Sequence, residues 1–181
     1  FVRQKEPLGI GDAILQARLL INNEPVAVMS GDDIVDSKTP ALKQLIKVYQ
    51  KYRSPVVALR KVPKEDISKY GIIAGEKIAP KTWRIRGSVE KPLPEKAPSD
   101  LMVIAKYILT PDVFDYLARV KPAPNGGEIY LPPAMDAYVK KGGRFYGYLV
   151  RGEYYDCGDK LGYMRSVVNF GLKHPEIGSG F

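Results

Sequence analysis

The residues in this sequence best suited to chemistry are carboxylates set at breaks in the chain. Ser30-Gly31-Asp32-Asp33 follows an apolar run, Pro25 to Met29, that reads as a buried strand ending in a glycine and two acids. In an open α/β sheet, ligands collect beyond the carboxyl ends of the strands, so acids placed there can hold a divalent cation against a phosphorylated ligand. The same residues would also make an ordinary surface turn, since Gly and Asp are common turn formers. Asp156, in Tyr155-Asp156-Cys157-Gly158, supplies a further carboxylate after another extended stretch. Two carboxylates from distant segments suit a magnesium ion whose remaining positions are filled by phosphate oxygens and water. Glu90-Lys91 closes an alternating run that begins at Trp83. Neighbours on a strand point to opposite faces, so the acid can meet hydroxyls while the lysine reaches a phosphate. An exposed strand end could equally finish in Glu-Lys-Pro without function.

Other chemistries lack their residues. The single histidine, His174, follows the last expected helix, which removes a Ser-His-Asp or Cys-His arrangement. Cys157 is the only cysteine and reads as structural, so there is neither an internal disulfide nor the ligand set of a zinc site. No P-loop lysine motif and no dinucleotide GxGxxG occurs. Phosphoryl or nucleotidyl transfer remains, because it asks the protein mainly for in-line positioning and neutralisation of charge.

The elements that must position these groups alternate between helix and strand. With 181 residues, 45% of them hydrophobic, the chain can bury one sizeable core, and a single domain over 1–181 is expected. No apolar run is long enough to span a bilayer. The net charge of +8 is scattered in ones and twos without a basic block, which argues against nucleic acid or a membrane surface and for a phosphate-handling pocket. A cytoplasmic setting is expected. Phe1 in place of Met, with no charged-then-apolar leader, reads as a fragment without a signal peptide.

Gly9-Ile10-Gly11 leads onto a helix expected at 12–20, with Ile14, Leu15, Leu19 and Leu20 inward and free N–H groups at its start. Thr39 is placed to cap a second helix with Pro40 at its first position and Leu42, Leu45, Ile46 and Tyr49 buried. Val56 to Leu59 is the next strand, and strand-helix-strand at these lengths argues for a parallel-type sheet. A hairpin or meander after Tyr70 feeds a strand that ends at Glu90-Lys91, and a loop over 92–99 and a strand at 101–109 follow. Thr110-Pro111 starts a helix through Val120, and Lys121 to Gly127 is loop. A helix ending at Gly142-Gly143, a strand at 144–150 and a helix at 161–172 capped by Asp159 complete the chain.

Six motifs stand in order: Gln4-Lys5-Glu6-Pro7-Leu8-Gly9-Ile10-Gly11-Asp12-Ala13, Ser30-Gly31-Asp32-Asp33, Lys69-Tyr70-Gly71-Ile72, Val89-Glu90-Lys91-Pro92, Gly126-Gly127-Glu128-Ile129 and Tyr155-Asp156-Cys157-Gly158-Asp159-Lys160-Leu161-Gly162. Together they resemble the bacterial UTP–glucose-1-phosphate uridylyltransferases of the sugar-phosphate nucleotidyltransferase superfamily, over essentially the whole chain. The resemblance implies a Rossmann-like mixed, mainly parallel sheet flanked by helices. It also implies the reaction of UTP with glucose 1-phosphate to give UDP-glucose and pyrophosphate. By the family pattern Gln4 and Gly9 contact the uracil, Asp32 and Asp156 hold Mg2+, and Asp33 lies against the substrate. Glu90 binds sugar hydroxyls, Lys91 binds the phosphate of glucose 1-phosphate, and Gly71 lets the backbone approach the sugar. Lys91, Asp32 and Asp156 are the catalytic set, and the sugar phosphate needs no general base because its oxygens are already ionised near neutral pH. A homo-oligomer is expected.

The family's opening strand and Gly-rich loop have no counterpart in this sequence, so the chain is expected to be N-terminally truncated and inactive alone. Asp12 stands where these enzymes usually carry histidine. Tyr130-Leu131-Pro132-Pro133 replaces Gln-Leu-Thr-Asp, and Ala105-Lys106-Tyr107 replaces Gly-Arg-Tyr. These departures keep open a thymidylyl- or other sugar-phosphate nucleotidyltransferase and a non-catalytic domain. Retention of Asp32, Lys91 and Asp156 together argues against the last.

Overall fold

The computed structural model describes residues 1–122 and 127–181, so the middle of the loop expected at 121–127, with Gly126, lies outside the described residues. Val56-Val57-Ala58-Leu59 has no polar side chain and forms β3 (Val56–Lys61), buried on both faces. Val57 and Leu59 enter one core; Val56 and Ala58 enter the other. Around β3 the sheet runs in the order β1 (Val26–Met29), β6 (Leu101–Leu109), β3, β7 (Phe145–Leu149), β5 (Thr82–Glu90) and β4 (Gly71–Ala79). The first core lies under α1 (Ile10–Gln16), α3 (Pro111–Leu117) and α4 (Leu131–Lys140), and the second under α2 (Ala41–Tyr52).

The mixed α/β architecture is as expected, and its pairing refines the mainly parallel reading. β3 and β7 run parallel, whereas β1–β6, β6–β3, β7–β5 and β5–β4 are antiparallel. β1 and β3 do point the same way, as a crossover through α2 requires, but β6 inserts between them. The expected hairpin is β4–β5. A separate antiparallel ribbon joins β2 (Asp33–Asp36) to β8 (Glu153–Asp156). The sequence reading placed the acids of both segments in loops, and this ribbon corrects it for Asp33 and Asp156.

Several helix expectations shift. α1 stops at Gln16 and the chain tightens into a 3₁₀ turn at Arg18–Leu20, leaving Leu19 and Leu20 91% and 65% exposed rather than packed. Pro40 is the N-cap of α2 and no side chain caps that helix. Its inward face is Ala41, Gln44, Leu45 and Val48, while Ile46 is exposed. α3 starts at Pro111 as expected and ends at Leu117, short of Val120. α5 (Lys160–Lys173) begins as read, with the Asp159 carboxylate accepting the Gly162 N–H at 2.9 Å. Among the described residues no helix is long and apolar enough to cross a membrane.

Gln44 is a buried polar residue that ties α2 to the chain between β7 and β8. Its Nε2 donates to the carbonyls of Thr39 (2.8 Å) and Arg151 (3.0 Å), and its Oε1 accepts the Arg151 N–H at 2.8 Å. Gln44→Leu would strand these backbone groups, and a loss of about 2–3 kcal/mol in chemical denaturation is expected. A loss below about 0.5 kcal/mol would show that the tie is not stabilising.

Candidate active site

The acidic turn rests on an irregularity in β6. Val57 faces Tyr107 and Ala58 faces Ile104, so Ala105 and Lys106 are extra residues on that strand. A bulge releases backbone groups from the ladder. The Ala105 carbonyl accepts the Ser30 N–H at 2.9 Å, and the Ala105 N–H donates to Asp33 Oδ2 at 2.6 Å. The other Asp33 oxygen accepts the Tyr154 hydroxyl. Burial raises the Asp33 pKa, the two hydrogen bonds oppose that shift, and repulsion from Asp32 and Asp156 adds to it. Burial and the bond to Asp33 push the Tyr154 hydroxyl up as well. Asp33, read from sequence as lying against the substrate, is thus engaged by two protein donors and anchors the turn.

Asp32 and Asp156 are brought together. The ribbon pairs Asp33 with Asp156, and the Cys157 N–H donates to the Asp32 carbonyl at 2.7 Å. A Cβ placed on Gly158 would lie 3.2 Å from Asp156 Oδ1 and 3.3 Å from Asp32 Oδ2, so both carboxylates flank one open position that glycine leaves clear. Ser30 Oγ donates to Asp32 Oδ1 at 2.7 Å, and the Gly158 N–H donates to Asp156 Oδ1 at 3.1 Å. Among the described residues no third Asp, Glu, His or Cys joins them in a metal-binding group. Two carboxylates suit a hard cation that takes its other oxygens from ligand and water. Cys157 Sγ donates to Ser166 Oγ at 3.3 Å, in keeping with a structural role, and His174 is exposed at the end of α5.

A tyrosine that sequence reasoning passed over connects the acids to the hairpin. The Tyr70 hydroxyl lies 3.5 Å from Asp156 Oδ2, and the Tyr70 carbonyl accepts the Lys91 N–H at 3.1 Å. Lys91 takes φ +45°, a left-handed conformation that costs a non-glycine residue about 1 kcal/mol and turns the chain sharply off β5. Gly71 pairs with Glu90 across the hairpin. Desolvation raises the Glu90 pKa, and the Lys91 ammonium pulls it down. Glu90 borders a cavity of about 330 Å³ together with Ser88, Pro132, Pro133, Asp136 and Lys140. The Tyr130 to Pro133 departure therefore falls beside Glu90, with both prolines in the first turn of α4, where a missing N–H costs little.

A Cβ on Gly71 would lie 2.8 Å from Glu90 Oε2. The obstacle is the end of a flexible side chain, so Gly71→Ala should change stability by less than about 1 kcal/mol while swinging Glu90 aside. If Glu90 holds sugar hydroxyls, the KM for the sugar phosphate rises about tenfold with kcat little changed, the mark of lost ground-state binding. An unchanged KM would remove Glu90 from the sugar subsite.

At the other side, residues 4–12 are strapped to residues 128–129. The Ile129 N–H donates to the Leu8 carbonyl at 2.7 Å and the Gly11 N–H to the Ile129 carbonyl at 2.8 Å. Gly9 adopts φ +87°, open to glycine at little cost. Gln4 Nε2 donates to the Gly9 carbonyl at 3.1 Å and to Asp12 Oδ2 at 2.7 Å. A cavity of about 360 Å³ runs between α1 and β1, from Ile10 and Ala13 to Met29 and Ser30.

The structure gathers Asp32 with Asp156, and Gly71 with Glu90 and Lys91, and joins the two groups through Tyr70. It places Gln4 and Gly9 together at the start of α1. Carboxylates, a lysine and glycines at strand ends of an α/β domain are the residue types that suit phosphorylated ligands carrying a cation. The chain belongs to the nucleotidyl transferase family, whose model matches residues 1–169. It is 43% identical over 182 aligned residues to a UTP–glucose-1-phosphate uridylyltransferase of Streptococcus pyogenes, covering 98% of this chain and 59% of that enzyme. The chain thus spans about three fifths of the length of the curated relatives it matches. A crystal structure of UDP-glucose pyrophosphorylase with UDP-glucose superimposes with a TM-score of 0.90 at 42% identity, over 96% of this chain and 66% of the other. A UTP-bound UDP-glucose pyrophosphorylase from Acinetobacter baumannii does so with 0.88 at 30% identity, over 99% and 62%.

Proposed function

We propose that the protein to which this chain belongs is a UTP–glucose-1-phosphate uridylyltransferase, and that this stretch carries its cation carboxylates, its sugar subsite and part of its base subsite. The observation that carries the reading is the convergence of Asp32 and Asp156 on the open face of Gly158. The names of the S. pyogenes relative and of the superimposed pyrophosphorylases support the substrates. Gln4 and Gly9 meet the uracil, Gly71 and Glu90 the glucose, and Lys91 the phosphate of glucose 1-phosphate. Asp33 acts on the substrate only indirectly, by fixing the turn that carries Asp32.

Asp32 and Asp156 would hold a divalent cation, Mg2+ in this reading, which would supply positive charge to the phosphates when bound. Lys91 brings a second positive charge and orients the attacking oxygen, which is the in-line positioning that phosphoryl chemistry requires. The bond from the sugar phosphate oxygen to the α-phosphorus forms as the bond to pyrophosphate breaks. Tyr70 keeps the lysine and the acid in register through its carbonyl and its hydroxyl. A reducing, cytoplasmic setting fits a chain with one cysteine.

The test is pyrophosphate release from UTP and glucose 1-phosphate, in the chain joined to the upstream strand and Gly-rich loop of the family pattern. Turnover with UTP that chelation abolishes and magnesium restores is expected. Silence of a folded protein with every nucleoside triphosphate and sugar phosphate would move the assignment to a non-catalytic domain.

A further inference from the structure

Gln4 does not stand alone beside Gly9. Its Nε2 faces two oxygens, the Gly9 carbonyl at 3.1 Å and Asp12 Oδ2 at 2.7 Å, and both are acceptors. Only the amide nitrogen can satisfy both, so chemistry fixes which end of the side chain is which. Both N–H bonds are then used, and Oε1 is the amide atom without a partner among the described residues. Asp12 is itself oriented: Gln16 Nε2 donates to Asp12 Oδ1 at 3.0 Å, and its charge sits in the first turn of α1, where the helix ends favour an anion. Without Asp12 the amide would keep one acceptor, the Gly9 carbonyl, and could turn over at the cost of a single hydrogen bond.

We infer that Asp12 is a positioning residue that locks the Gln4 amide with its oxygen outward, and so selects nucleobases that carry an imide N–H over those that carry a ring acceptor at that position. The inference rests on the reading that Gln4 meets the base. Uracil and thymine present an N3–H donor to such an oxygen, whereas cytosine presents an unprotonated N3, and two acceptors face to face leave both groups unpaired. The residue that departs from the family's usual histidine thus has a use: its carboxylate oxygen accepts the Gln4 N–H.

The experiment measures binding of UDP-glucose and CDP-glucose by calorimetry to the chain joined to the upstream strand and Gly-rich loop, and to its Asp12→Ala and Asp12→Asn variants, with circular dichroism confirming the fold. The parent chain is expected to prefer UDP-glucose about 100-fold, and D12A to reduce that preference to less than about tenfold. D12N keeps an acceptor oxygen for Gln4 and should retain the preference within about threefold. Equal weakening of both ligands in D12A, with the preference intact, would mean that Asp12 only supports the fold, and overturns the inference. A parent chain with no preference also overturns it, and leaves the reaction to be judged separately by pyrophosphate release.

Discussion

In the full-length protein, on the proposed uridylyltransferase reading, Asp156→Asn is expected to lower turnover of UTP and glucose 1-phosphate at least about a thousandfold, since charge stabilisation at a cation-assisted centre is worth several kcal/mol. The fold should survive the change. Asn Oδ1 can still accept the Gly158 N–H, and the Tyr70 hydroxyl can turn to accept from the new amide. Removing one negative charge beside Asp32 and Asp33 also relieves the repulsion that helps hold Asp33 above the ordinary carboxylate range. The variant should therefore be as stable as the parent or slightly more so, a pairing of lost activity with retained stability that marks a functional charge. Thermal unfolding with and without Mg2+ reads the same point independently: the parent gains stability from the ion and D156N does not. Turnover within tenfold of the parent would remove Asp156 from the catalytic set.

The second large effect falls on a glycine that touches no ligand. A Cβ on Gly162 would lie 2.0 Å from the Asp156 carbonyl oxygen and 2.9 Å from its carbonyl carbon. These are backbone atoms, not a side chain that can swing away, so Gly162→Ala must push the first turn of α5 off the end of β8. Overpacking of this kind costs about 1–3 kcal/mol, and here the Asp159 cap on the Gly162 N–H is strained as well, so a loss of about 3 kcal/mol is expected. Because the displaced oxygen belongs to Asp156, cation affinity should fall together with stability, which calorimetric Mn2+ binding at a temperature where the variant is folded would show. A variant as stable as the parent would mean that α5 docks otherwise than described.

Much of the architecture was legible because it rests on apolar patterning. Val56 to Leu59 and Leu101 to Leu109 are strands where their sequences indicate, and Gly71 to Glu90 is a hairpin. The Asp159 cap was legible for a different reason, since a side-chain acceptor before a helix has a local signature. The two-stranded ribbon was not. β2 and β8 are four residues each, carry acids at both ends and pair across most of the chain, so nothing local distinguishes them from turns. The partners of Asp33 were hidden for the same reason: residue type shows a carboxylate beside Asp32, while only the fold shows that the Tyr154 hydroxyl and the Ala105 N–H donate to it. Tyr70 escaped notice because one of its two roles is played by its carbonyl oxygen, which every residue has. Leu19 read as core because helical periodicity was extended past Gln16, where α1 ends, and Ile46 because an apolar residue beside Leu45 was given to the buried face, where Gln44 stands instead.

The bulge on β6 limits how this family of chains can gain or lose residues. Leu101, Tyr107 and Leu109 face the first core, while Met102, Ile104 and Ile108 face the second, and this alternation runs through Ala105 and Lys106 unbroken. The insertion is even, so it leaves parity intact. Deleting either residue alone would exchange the two faces of everything from Tyr107 onward, sending Ile108 into the layer built for Tyr107 and Leu109. Deleting both would preserve each face and leave the sheet foldable, but would take away the Ala105 groups on which Ser30 and Asp33 rest. Length variation at this point of the strand can therefore proceed only in steps of two, and the permitted step dismantles the acidic turn.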